Sequence, residues 1–165
     1  MKAVSEAVRG AVSAALESLT DRDPARRDVA AAELGDLLRG SALDAETARV
    51  VAARLVGLTL REPVTHVRES ALNALGEAFS RHALPLSVVE PLATALESMA
   101  AEPELLTHTL YLLGAPRNPR ARPLIEPYLS HPDPRVREEA GLALAEFSGP
   151  RRHARDDDAV DDGDR

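Results

Sequence analysis

Cysteine is absent from the 165 residues, and so is tryptophan. Without thiols there is no disulfide framework, no thiolate metal site and no dependence of stability on redox compartment. Aromatic residues make up 2%, two Phe and two Tyr, so a core must be built from Leu, Val and Ala, which favour close approach of helices over interleaved rings. No apolar run reaches the roughly 18 residues that a membrane-spanning helix needs. The opening stretch MKAVSEAVRGAVSAALESL places Glu6, Arg9 and Glu17 among its apolar positions, unlike a secretory signal, so the expected location is the cytoplasm. Positive charge is in deficit. A net charge of −7 works against nucleic acid, whose phosphates are held by Lys and Arg.

What remains is 44% hydrophobic and 28% charged, the balance of a globular domain. Val4, Val8, Val12, Leu16 and Leu19 recur at spacings of four and three, one face of an amphipathic helix. Asp23 is placed to cap a second helix with Pro24 in its first position, and Gly40 to stop it in a left-handed conformation. Asp44 caps a third helix reaching Leu60, with Ala48, Val51, Ala52, Leu55 and Leu58 inward. Further helices are expected over 64–81, 86–100, 103–114, 119–129 and 134–147, joined by short connections rich in Pro, Gly, Asp and Asn. About eight helices with short loops make antiparallel hairpins.

The hairpins repeat. DPARRDVAAAELG (23–35), VTHVRESALNALG (64–76) and DPRVREEAGLALA (133–145) align an arginine column at Arg27, Arg68 and Arg137, an alanine column at Ala30, Ala71 and Ala140, and a column of Gly35, Gly76 and Ala145. LLTHTLYLLG (105–114) supplies the unit between the last two, ending at Gly114 and carrying Leu106 in place of the arginine.

This pattern, D-P-x-V-R-x-x-A followed by A-L-G, resembles HEAT repeats of the short bacterial type over residues 20–148. The resemblance implies an all-α solenoid of antiparallel helix pairs occupying 1–149, in which each unit buries its apolar stripe against its neighbours. It also implies that Arg27, Arg68 and Arg137 link adjacent repeats by reaching an acidic group or a carbonyl, with Asp23 and Asp133 as the expected acids.

Signatures of chemistry are missing. Neither H-x-x-x-H, H-E-x-x-H nor a His-Glu dipeptide occurs among His66, His82, His108, His131 and His153, although His108 is expected to be half-buried. The zinc-protease pattern and the paired iron ligands of HEAT-like hydroxylases are thus both absent. No G-x-S-x-G and no phosphate-cradling glycine loop is present. HEAT-like DNA glycosylases are expected to carry a basic groove with aromatic residues, from which this chain departs, and no residue specifically supports a HEAT-like lyase. Neither metal nor cofactor is expected, and the chain reads as a non-enzyme.

In the family the second helices line the concave face. On the middle one Val88, Val89, Leu92, Leu96 and Met99 form the inward stripe, and α-helical pitch groups Glu90, Thr94 and Glu97 on the outer side. Glu46 and Arg49 flank them from one side, Arg120 and Glu126 from the other. A ridge acidic at its centre suits a protein partner with a basic surface, and one concrete form of that reading is a small inhibitor, such as an immunity protein covering a toxin enzyme. Tyr111, Tyr128 and Leu142 are assigned to packing surfaces. Residues 150–165 hold six aspartates after a cluster of arginines, a composition expected to form a disordered acidic tail.

Overall fold

The computed structural model describes residues 5–40 and 43–148; the expectations for Val4 and for the tail at 150–165 lie outside the described residues. The elements are α1 (Glu6–Ser18), α2 (Pro24–Arg39), α3 (Ala45–Arg61), α4 (Thr65–Arg81), α5 (Leu86–Val89), α6 (Pro103–Gly114), α7 (Arg122–Ile125) and α8 (Pro134–Ala145), with no strand among the described residues. Local chemistry sets most of these boundaries. The amides that open four helices have no intrahelical acceptor, and side chains supply one: Ser5 accepts from the Val8 N–H at 3.3 Å, Asp23 from Ala25 at 2.9 Å, Asp44 from Thr47 at 2.7 Å and Asp133 from Arg135 at 2.9 Å. Gly40 departs from the expected left-handed stop. It is extended at φ −68 and ψ 163, and its N–H closes α2 on the Asp36 carbonyl at 3.0 Å.

Two helices expected to be continuous are broken. After α5 the chain tightens into a 3₁₀ coil over Glu90–Ala95 and then turns, while α7 is a single turn between 3₁₀ coils at Pro119–Ala121 and Glu126–Ser130. Prolines inside both segments are the reason. Pro91 and Pro127 lack the N–H that would bond four residues back, and their rings clash with the carbonyl there. A 3₁₀ coil with the proline in its first turn avoids both problems.

The helices form two layers. Helices α2, α4, α6 and α8 stack side by side in chain order, while α3 lies against α4 and runs beside α5 and the coil after it. Helix α1 packs on α2 at one end, and α8 packs on the 126–130 coil at the other. Leu34, Leu55, Leu72, Leu75, Leu92, Leu105, Leu106, Leu110 and Leu113 are all fully buried in one continuous apolar core.

How closely the first-layer helices approach is decided by one glycine column. A Cβ built on Gly35 would stand 3.1 Å from the Ala74 Cα, and one built on Gly114 would stand 2.9 Å from the Ala143 Cα. At Gly76 the nearest atom is an edge carbon of the Tyr111 ring, 3.9 Å away. Ala74 and Ala143 stand two positions before the end of their own repeats, and the residue at that position in α6 is the larger, fully buried Leu112. At Gly76 no backbone atom of α6 comes within 4 Å, so α4 and α6 are spaced more widely than the other two pairs.

Candidate functional site

The arginine column is the first polar constellation that the stack builds. Arg27 forms a two-pronged pair with Glu62, its Nε donating to Oε2 at 2.7 Å and its Nη2 to Oε1 at 2.8 Å. Its Nη1 donates to the carbonyls of Asp21 and Arg22, six and five residues back, at 2.9 and 3.1 Å. The Glu62 side chain is 2% exposed and that of Arg27 14%. Beside this guanidinium the Glu62 carboxyl is held below its ordinary range, helped by the Val64 N–H that it accepts at 3.0 Å. Arg68 reaches Glu102 with one prong only, Nη2 to Oε1 at 2.6 Å, and its buried Nε has no partner among the described residues.

The acids in these pairs are therefore Glu62 and Glu102, not Asp23 and Asp133. Both aspartates are committed to capping, and Asp133 is further occupied by Arg135, which together with the Arg135 N–H lowers its pKa to about 2. Geometry explains the exchange. The acid must come from the turn that closes one repeat and opens the next, and in both pairs it is the glutamate immediately before a proline: Glu62–Pro63 and Glu102–Pro103. Arg137 donates through Nη1 to the carbonyls of His131 and Pro132, both at 2.8 Å.

The residues expected on the second-helix ridge are spread along the other layer. Glu46 and Arg49 are exposed on α3, Arg120 is exposed, and Glu126 is exposed within reach of Arg122 at 3.4 Å. Glu90, Thr94 and Glu97 were grouped by α-helical pitch, which this segment lacks. With three residues per turn, Thr94 stays in line with Pro91 and Glu90 is turned about a third of a revolution aside, while Glu97 lies beyond the coil in the turn at 96–100. Glu90 is accordingly half-buried. Glu97 faces the neighbouring repeat: its charge, after burial, helps to raise the Tyr128 hydroxyl pKa. The ridge is charged and, apart from Glu90, exposed.

A cleft does exist on the opposite layer, where α6 stands off from α4. It is an open groove of ≈ 940 Å³ bounded by Phe79, Arg81 and His82 at the end of α4, by Tyr111 and Arg117 from α6 and its turn, and by Glu139, Leu142 and Glu146 on α8. Tyr111 and Leu142, expected to pack inward, are 44% and 58% exposed here. Two large apolar side chains open to solvent beside one cleft are the usual ingredients of a contact surface. Arg117 has φ 53, in the left-handed region that a side chain occupies at a cost of about 1 kcal/mol. Its Nη2 meets Glu146 Oε2 at 2.8 Å, which ties the turn after α6 to the end of α8.

Glu139 gives the groove its electrostatic character. Burial, with Glu138 beside it, raises its carboxyl pKa, and no cation pairs with it among the described residues. A carboxyl whose pKa is raised in the folded state favours folding below its unfolded pKa, and that contribution is lost as pH rises through the folded value. Glu139→Gln is therefore expected to stabilise the protein at pH 7, with the difference from wild type disappearing near pH 4. Urea midpoints measured at both pH values check this.

No group of three or more His, Asp or Glu among the described residues is arranged to hold a metal, and no described helix is long and apolar enough to cross a membrane. His108 is exposed on α6, where it was expected to be half-buried. His131 accepts the Asp133 N–H on Nδ1 at 3.1 Å, which makes it part of the turn.

A family model described as HEAT repeats matches residues 89–161. Nineteen solved chains resemble the fold. One, the crystal structure of an engineered protein, superposes on 84% of this chain with a TM-score of 0.55 and 20% identity. This chain spans 63% of that engineered protein, and the likeness is one of fold alone. Among curated proteins none matches the sequence.

Proposed function

Starting from a chain that is a HEAT-like repeat solenoid, we propose that it binds another protein and carries out no chemistry of its own. Solenoids of stacked helix pairs present extended surfaces shaped for contact. The observation that carries the reading is the groove, where Tyr111 and Leu142 are exposed beside the half-buried Glu139, which has no cation partner among the described residues. A partner that inserts an apolar side chain between Tyr111 and Leu142 and brings a cation to Glu139 covers both apolar groups and relieves the desolvated charge. The ridge of Glu46, Arg49, Glu90, Thr94, Glu97, Arg120 and Glu126 acts at longer range. Its four glutamates outnumber its two arginines, and within a chain of net charge −7 it steers a basic partner toward the molecule, an effect that fades as salt screens it.

The test is capture of binding proteins from the native cell by three tagged forms: wild type, Tyr111→Ala with Leu142→Ala, and Glu90→Lys with Glu97→Lys. All four positions are exposed or half-buried, so the fold should survive. Loss of two anchoring contacts is expected to reduce recovery of a stoichiometric partner about 30-fold or more, from roughly 2 kcal/mol or more of binding energy. The charge-reversed form should lose recovery at low salt and regain wild-type behaviour as salt is raised. Equal recovery by all three forms removes the proposal. A basic nuclease or other toxin as the partner identifies the protein as an inhibitor, whereas a large assembly identifies it as an adaptor.

A further inference from the structure

Arg27 and Arg137 are held in the same way. Each sits in the first turn of a helix opened by Asp-Pro, and each sends Nη1 to the carbonyls six and five residues back: Asp21 and Arg22 for one, His131 and Pro132 for the other. Those two bonds engage Nη1 and fix the guanidinium plane, which leaves the opposite edge, Nε with Nη2, for another acceptor. At Arg27 that edge receives both oxygens of Glu62. At Arg137 no carboxylate occupies it among the described residues. A guanidinium fork oriented by its other nitrogen is a ready-made receptor for a carboxylate.

We propose that the free edge of Arg137 is a carboxylate-docking site and that the aspartate run Asp156–Asp158 of this same chain occupies it. Charge and reach both favour this occupant. The run is the densest negative charge that follows α8, and the N-terminal turn of α8, where Arg137 sits, adds the partial positive charge of its helix. From Arg137 to Ser148 the helix and its final turn rise by about 16 Å at roughly 1.5 Å per residue. The eight residues from Ser148 to Asp156 span up to about 26 Å when extended. The chain can therefore fold back along α8 and bring Asp156, Asp157 or Asp158 to the position that Glu62 holds beside Arg27. The second element of each earlier repeat makes the same return.

The test is solution NMR of the full chain at low salt, with Arg137→Lys used to assign the Arg137 Nε–Hε resonance. In wild type that proton should resonate downfield of exposed arginines, and Asp156→Asn with Asp157→Asn and Asp158→Asn should return it to their position. The heteronuclear NOE of residues 156–158 should be higher in wild type than in Arg137→Gln, where it should fall to that of Asp164. Arg137→Lys should behave like Arg137→Gln, because an ammonium cannot form the fork. Three results overturn the proposal: an Arg137 signal indifferent to the triple replacement, an NOE that Arg137→Lys preserves, or a downfield shift that disappears on dilution. The last would assign the carboxylate to a second copy.

Discussion

Glu62→Ala is expected to cost about 3–5 kcal/mol, a large part of the stability of a domain this size, because it strands the Arg27 guanidinium in a nearly dry site. Glu62 is 2% exposed and accepts three hydrogen bonds, two from Arg27 and one from the Val64 N–H. The matching change Glu102→Ala should cost less, about 1–3 kcal/mol, since that pair has a single prong and the Glu102 side chain is 30% exposed. Urea unfolding of the two variants reads the difference directly, and equal losses would mean that burial and fork geometry do not set the strength of these links. Acid provides a second reading. Glu62 has a lowered pKa in the folded state, so its contribution is complete above the unfolded carboxyl value and is lost as pH falls through the folded one. The stability gap between wild type and Glu62→Ala should therefore narrow on acidification.

Gly114→Ala is expected to destabilise the stack by about 1–3 kcal/mol, whereas Gly76→Ala should be neutral or stabilising by up to about 1 kcal/mol. The new methyl on residue 114 would press on Ala143 at 2.8–2.9 Å, where both Cβ and backbone are in the way. On residue 76 it would meet only a ring edge at 3.9 Å, and alanine is the better helix former. Gly35→Ala, at 3.1 Å from Ala74, should fall between them. Thermal melts of the three variants give the order, and a loss at position 76 equal to that at 114 would contradict the wider spacing of α4 and α6.

Helix starts at Asp23, Asp44 and Asp133 were readable because the chemistry that sets them is local: an aspartate two or three residues ahead of an open amide leaves little choice. The interruptions at Pro91 and Pro127 were readable in principle as well. Apolar spacing over 86–100 gave the correct buried face, Val88, Val89, Leu92, Leu96 and Met99, and that agreement concealed the change of pitch. The arginine column was visible, but its acids were not. Glu62 and Glu102 close the helix pairs that Arg27 and Arg68 open, so an alignment of first helices never places them together; the Glu-Pro dipeptide at each closing turn was the available signal. The groove was the hardest to see. It opens where Gly76 meets only the edge of the Tyr111 ring instead of a neighbouring backbone, a difference in helix spacing that the shared glycine column hides.

The stack is held by two unlike fastenings, and they are distributed unevenly. Between α2 and α4 the close glycine contact and the two-pronged ion pair act together. Between α6 and α8 the close contact is present, and Leu106 stands where the arginine would be. Between α4 and α6 the ion pair remains and the close contact is missing. An ion pair at one end of two helices acts as a pivot, whereas a backbone-to-backbone contact along their length acts as a brace. The array is thus stiff at both ends and compliant at one internal joint, and the groove opens at that joint. A partner seated in the proposed groove would touch both stiff halves at once and so bear on the angle between them.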